Sequence, residues 1–376
     1  MIAASHAQIF GRRAHQLIVG TYTERLPHVN GTASGILGCA YNDGTTGSPT
    51  LLVRSRNPSW LAVTASGHNV YAIHETIDFG GEATGGLTAY ARNMSTGALS
   101  EINSNSSAGL APAHLALYGE EQRVLVANYE SGSIASFSVD ERGGLGSLVG
   151  HRQHVGSSVD PTRQTGPHAH MICVDPVTDR VLVPDLGLDV VLSYEVSETG
   201  EFVERAEECI VTRPGAGPRH LAFHPNRQLL FLLNEINSTI VTLRRDGTRF
   251  VETDTTSTLP NTCTDHSEAA AVRVSASGRY VFASNRGYDS IAMFRLDEGV
   301  GILTLEHVEP THGREPRDFC QTPDGKYLLV ANQDSDSIVS FAIDEEEATL
   351  RQVSATRVPS PVCLVFATVD HVGEIC

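Results

Sequence analysis

Three kinds of short apolar run recur in a fixed order along this chain. The middle kind is an almost unbroken stretch of large aliphatic residues: NVYAIHE, RVLVANY, RVLVPDL, QLLFLLNE, RYVFASNR and KYLLVANQ. Before each stands a shorter apolar run, such as LAV (61–63) or LAFH (221–224), closed by a Gly- or Pro-containing turn. After each, beyond a polar turn, comes a run that alternates: SIASFSV, VVLSYEV, TIVTLRR, SIAMFRL or SIVSFAI. Unbroken apolar runs of this length read as strands buried on both faces, and alternating ones as strands with one wetter face. A variable fourth strand leads into the next unit. Aligning the openings of the short runs puts Ser59, Ala113, His170, Arg219, Ala270, Arg317 and Val362 in one column, at steps of 45 to 57 residues. Seven units of about 50 residues predict an all-β fold, a seven-bladed β-propeller with four-stranded antiparallel blades.

The ends of the chain complete the pattern. QLIVGTY (16–22) is a second strand without a first, and PVCLVF (361–366) is a first strand without a second. Pairing them makes one blade from the N- and C-terminal strands and removes a free sheet edge. Residues 15–376 are therefore expected to form a single domain, with 1–14 as a flexible tail. Inserts at 76–86 and 150–166 are expected to lie over one mouth of the channel. Asp189, Asp289 and Asp336 recur in the turns after the second strands, where local side-chain-to-backbone bonds are the expected role.

Composition narrows the function. The formal charge of −17 argues against nucleic acid as a partner. No apolar run approaches the ~20 residues of a membrane span. The seven cysteines are widely spaced, odd in number and lack any CxxC, which fits a reducing, cytoplasmic setting. A single tryptophan, Trp60, and no recurring GH…WD signature disfavour a WD40-type adaptor. With the ring closed, a monomer is expected.

The first two strands of a blade run antiparallel, so the start of one lies beside the finish of the other. The column that opens the first strands must then share a mouth with the column that closes the second strands: Tyr22, Glu75, Tyr129, Leu186, Glu235, Arg286 and Gln333. Together they bring His170, Arg219 and Arg317 near Glu75, Glu235 and Arg286, with Tyr129, Gln333 and the flanking His168 as further candidate substrate-binding groups. Other repeats carry Ser, Ala, Val or Leu at these places. Desolvating so many charges is costly unless they pair or serve a ligand.

The segments GPHAH…VPDLGLD, GPRHLAFHP…NE, SNRG.DSI and PRDF…PDGKYLLVANQDSDSI resemble a cytosolic family of seven-bladed propeller lactonases. That family includes bacterial 6-phosphogluconolactonases of the propeller type and fungal 3-carboxy-cis,cis-muconate lactonizing enzymes. The likeness runs from about Gln16 to Phe366. It implies a channel-mouth site of His170, Arg219, Glu235 and Arg286; Arg317 is added by the repeat geometry.

Lactone hydrolysis needs an activated water, a held oxyanion and a proton for the leaving alkoxide. His170 or Glu235 suits the acid–base work. Arg219 or Arg286 suits the oxyanion, and Arg317 suits a phosphate. GxSxG is absent and no Cys lies in either column, which favours direct water attack over a covalent intermediate. No metal or other cofactor is expected, because an arginine-rich mouth repels cations. The expected substrate is a small anionic sugar lactone, 6-phosphogluconolactone first. A carboxymuconate cycloisomerase and a non-catalytic binding platform remain as alternatives.

Overall fold

A computed structural model describes residues 14–369. The proposed tail at 1–14 and the last seven residues, with Cys376, lie outside them except for Ala14, which starts the first strand. Seven antiparallel sheets follow one another around a ring, as the repeat predicts. Blade I is the composite one. Its innermost strand is Pro361–Val369, paired with Ala14–Thr21, then Gly35–Asn42, with Thr50–Arg54 outermost. Blades II, III, V, VI and VII each use four consecutive strands, spanning 61–106, 112–153, 218–257, 268–310 and 316–357. Blade IV (173–211) has an innermost strand of two residues and an outer strand split by a short 3-10 turn at Ala206–Glu208.

The apolar runs explain the ring. Side chains on a strand point alternately to opposite faces. In Leu229–Asn234, Leu229, Phe231 and Leu233 pack on blade VI, while Leu230 and Leu232 pack on blade IV. In blade VI, Val281 and Ala283 face blade V, and Tyr280 and Phe282 face blade VII. Both faces of a second strand are therefore buried, and the sequence loses its alternation there. The interfaces together form seven apolar clusters, one between each pair of neighbouring blades. A Leu or Phe fully buried in such a cluster contributes about 1.5–3 kcal/mol. No blade can bury both faces alone, so closure of the ring by blade I stabilises every other blade.

Phe282 is fully buried between blades VI and VII. Phe282→Ala is expected to cost about 3–5 kcal/mol in denaturant unfolding. Val251→Ala, at an exposed outer-strand position, is expected to change stability by less than about 0.5 kcal/mol.

Candidate active site

The mouth is built by one backbone device, repeated. In blades I, III, V, VI and VII the register of the innermost strand slips against the second strand at the column residue: Val362, Ala113, Arg219, Ala270 and Arg317. Such a β-bulge leaves one residue unpaired and re-aims its side chain. Two positions ahead of the column the backbone is left-handed at Asn57, Ala111, Gly217, Glu315 and Ser360, with φ of 39° to 68°. The carbonyls of these residues accept hydrogen bonds from the N–H groups of Glu75, Tyr129, Glu235, Gln333 and Tyr22 at 2.7–3.1 Å. The second column is thereby tied to the first. Five residues in a sparsely populated conformation, four of them not glycine, concentrate backbone strain at this mouth.

The turn aspartates do more than cap their own turns. Asp189 accepts from the N–H groups of Gly215 and Gly217, Asp289 from that of Glu315, and Asp336 from that of Ser360, at 2.7–2.9 Å. Each acceptor therefore reaches the segment that leads into the next blade's innermost strand. The expectation of purely local bonding is corrected: these carboxylates join neighbouring blades and fix the bulge that follows.

Glu235 stands at the centre of the site, buried and shared among three guanidinium groups. Arg219 Nε donates to its Oε2 at 2.6 Å, Arg286 Nη2 lies 3.1 Å from the same oxygen, and Arg163 binds Oε1. Arg163 and Arg286 also contact Glu268. Burial alone would raise the Glu235 carboxyl, but Arg286, Arg219 and Arg163 outweigh it and hold the group well below its usual range. Glu235 is therefore ionised and engaged by its arginines. Arg219, 2% exposed, is spent beneath the cavity on Glu235, the Ala270 carbonyl and His220 Nε2. Arg286 is different. Its ion-pair contacts are close, yet neither its Nε nor its Nη2 makes a well-aligned hydrogen bond. Both atoms are sealed from solvent, Nη2 between two carboxylates. Nη1, outside that sealed pair and without a hydrogen bond among the described residues, is the donor left for a ligand.

His170 is buried edge-on to Tyr129, with ring centroids 5.4 Å apart. Burial, then the charge of Arg219, pushes its imidazolium well below 6.5. The ring is therefore neutral at pH 7 and can accept a proton. Arg317 lies over the Tyr22 ring at 5.4 Å, and among the described residues no carboxylate lies within ion-pair distance of it. Tyr22 donates to Glu75 at 2.8 Å, and His28 Nε2 lies 3.8 Å from that carboxylate.

One cavity of ≈ 710 Å³ is lined by His170, Glu235, Arg286, Arg317, Glu75 and Tyr129. Three sequence candidates stand outside that lining. Arg219 sits below it. His168 stacks on the back of Tyr129 at 4.6 Å and bonds its carbonyl, so it positions Tyr129 and does not reach the cavity. Gln333 is folded into a short 3-10 turn with its amide on Asp334, away from the cavity. The mouth is also less basic than the columns suggest, because each cavity arginine but Arg317 meets a carboxylate.

The inserts supply what the columns miss. Arg163 comes from the loop of 154–166, anchored by buried Gln164 on the Leu186 carbonyl and by Ser158 on Asp189. Ile77 and Asp78 reach the cavity rim from the other insert, and Leu26 and His28 from a hairpin at 25–30. Glu268 stands two places before Ala270, in a column that the repeat also defines.

A closed seven-bladed propeller with a buried His–Arg–Glu–Arg set at one mouth defines the molecule as an enzyme of the propeller lactonase class. Residues 16–366 match the family model "Lactonase, 7-bladed beta-propeller", and the chain belongs to that family. It is 32% identical over 353 residues to a 6-phosphogluconolactonase of Bacillus subtilis, covering 93% of this chain and 97% of the relative. A 6-phosphogluconolactonase of Formosa agariphila is 28% identical over 82% of this chain and 86% of its own length. The periplasmic gluconolactonase PpgL of Pseudomonas aeruginosa superposes with a TM-score of 0.87 at 28% identity, over 95% of this chain and all of that one. No helix among the described residues is long and apolar enough to cross a membrane.

Because the folded-state carboxyl of Glu235 titrates below its ordinary value of 4.5, its stabilisation is complete above that value and is lost as pH falls through the lower folded value. Glu235→Leu leaves Arg219 buried without its partner. It is expected to cost about 3–5 kcal/mol at pH 7 and to flatten the acid limb of a stability-versus-pH series measured by urea unfolding.

Proposed function

We propose that this protein hydrolyses 6-phosphogluconolactone to 6-phosphogluconate, without a metal ion, by direct attack of water in the channel-mouth cavity. The observation that carries the reading is that a neutral, buried His170 and Arg286, whose Nη1 makes no hydrogen bond among the described residues, line one cavity. His170 accepts a proton from water as the water oxygen bonds to the lactone carbonyl carbon. Arg286 receives the oxyanion, a role in which one well-placed donor is worth about 3–4 kcal/mol. The tetrahedral intermediate collapses with breakage of the bond to the ring oxygen, and the imidazolium returns the proton to that oxygen. Glu235 holds Arg286 and Arg219 in place. Arg317, with no carboxylate at ion-pair distance among the described residues, takes the phosphate through its fork of donors.

Two curated relatives bear the phosphogluconolactonase name, which supports that substrate over an unphosphorylated lactone. The pentose phosphate pathway and a cytoplasmic, monomeric enzyme follow as parts of the same proposal. Six free cysteines among the described residues support a reducing compartment.

His170→Ala is expected to lower kcat about 100-fold or more with the melting curve retained. Arg317→Ala is expected to raise KM for 6-phosphogluconolactone about tenfold or more, with a much smaller effect on unphosphorylated gluconolactone. A panel of lactones and carboxymuconates, assayed with and without chelator, checks both. Turnover of muconate alone, or loss of activity on chelation, contradicts the reading.

A further inference from the structure

Beneath the large cavity lies a second chamber of ≈ 20 Å³, lined by Ser59, Trp60, Glu75, Ala113, His170, Arg219, His220, Arg317 and Val362. It is bounded by six of the seven column residues, and His170 lines both spaces. A volume of this size accommodates one water molecule when two to four polar partners surround it. Three of its lining residues each carry a buried polar atom without a hydrogen-bond partner: Ser59 Oγ, His170 Nδ1 and His220 Nδ1. An unpartnered buried polar group costs about 1–3 kcal/mol, so three on one small chamber need a common explanation.

The protons can be counted. Arg219 Nη1, which can only donate, lies 3.2 Å from His220 Nε2. His220 Nε2 is therefore the acceptor, and the proton of this neutral ring is on Nδ1. His170 has its Nδ1 sealed from solvent, whereas its Nε2 is not among the buried orphaned atoms. With His170 also lining the large cavity, Nε2 is the nitrogen that serves as base there. The proton of its neutral ring then belongs on Nδ1, where it needs an acceptor. The rings of His170 and His220 lie 5.4 Å apart, centroid to centroid.

We propose that the floor chamber is a dedicated site for one water molecule that fixes the tautomer of His170. The water accepts from Nδ1–H of His170 and from Nδ1–H of His220, and it donates to Ser59 Oγ. Both lone pairs and one proton of the water are used. Ser59 and His220 are thus positioning residues that act on the base through this water. The water does the work that a carboxylate does behind many catalytic histidines. This inference rests on His170 being the base.

Two substitutions fill the chamber. Ser59→Val removes the hydroxyl and adds bulk. Val362→Ile adds one methylene at an apolar lining residue and removes no polar group. Both are expected to lower kcat about tenfold or more, with KM within about twofold and unfolding still cooperative. In ¹⁵N-imidazole spectra at pH 7, the wild-type His170 signal, assigned by its loss in His170→Ala, is expected to show Nδ1–H with an unprotonated Nε2. In both filled variants that pattern is expected to be replaced by a tautomer mixture. Wild-type kcat and an unaltered tautomer in the filled variants overturn the water site, while loss of activity in His170→Ala in the same assay keeps the base assignment. Wild-type activity in His170→Ala overturns the base assignment itself. If Ser59→Val fails to fold, Val362→Ile alone decides.

Discussion

The structure turns on one buried carboxylate. Glu235 is 3% exposed, and guanidinium groups from three separate segments meet it. Taking such charges out of water costs several kcal/mol per ion, and mutual attraction repays that only with good geometry. Apolar residues would fill the same space at lower cost. Charges gathered at this cost fit a place that serves a ligand. Arg219 is engaged by Glu235, the Ala270 carbonyl and His220, whereas Arg286 keeps Nη1 without a hydrogen bond among the described residues. A single acid thus meets an arginine from each column, one outside the cavity lining and one within it.

That arrangement depends on the ring above all. Each blade hides both faces of its second strand against its neighbours, so the bulges at the inner ends are held by the whole circle. The turn aspartates 189, 289 and 336 carry the constraint from one blade to the opening of the next. Strained left-handed residues ahead of the column persist because their surroundings determine them from both sides. Precision at the mouth is a property of closure, to which the first and last described strands contribute most directly.

Much of this is legible in the chain. The apolar runs gave the blades because burial on both faces removes alternation, and fixed spacing gave the column that the bulges expose. Six candidates meet at one cavity for that reason. Arg163 and His28 escape such reading because they sit in an insert and a hairpin, where no period fixes their place. His168 and Gln333 show the opposite failure. Adjacency to a column places a residue near the mouth, but stacking on Tyr129 or folding into a short 3-10 turn then decides where the side chain goes. Arg219 shows that membership of the column fixes a Cα position without fixing depth. Its long side chain reaches downward to the Ala270 carbonyl and His220, below the space a substrate would enter.

The most direct measurement is a crystal structure of the protein with 6-phosphogluconate bound. The account places the phosphate on Arg317 and the C1 carboxylate between His170 and Arg286, with Glu235 still bound to its arginines. A product molecule seated outside the channel mouth, or turned so that its phosphate meets Arg286 and its carboxylate lies away from His170, would contradict it.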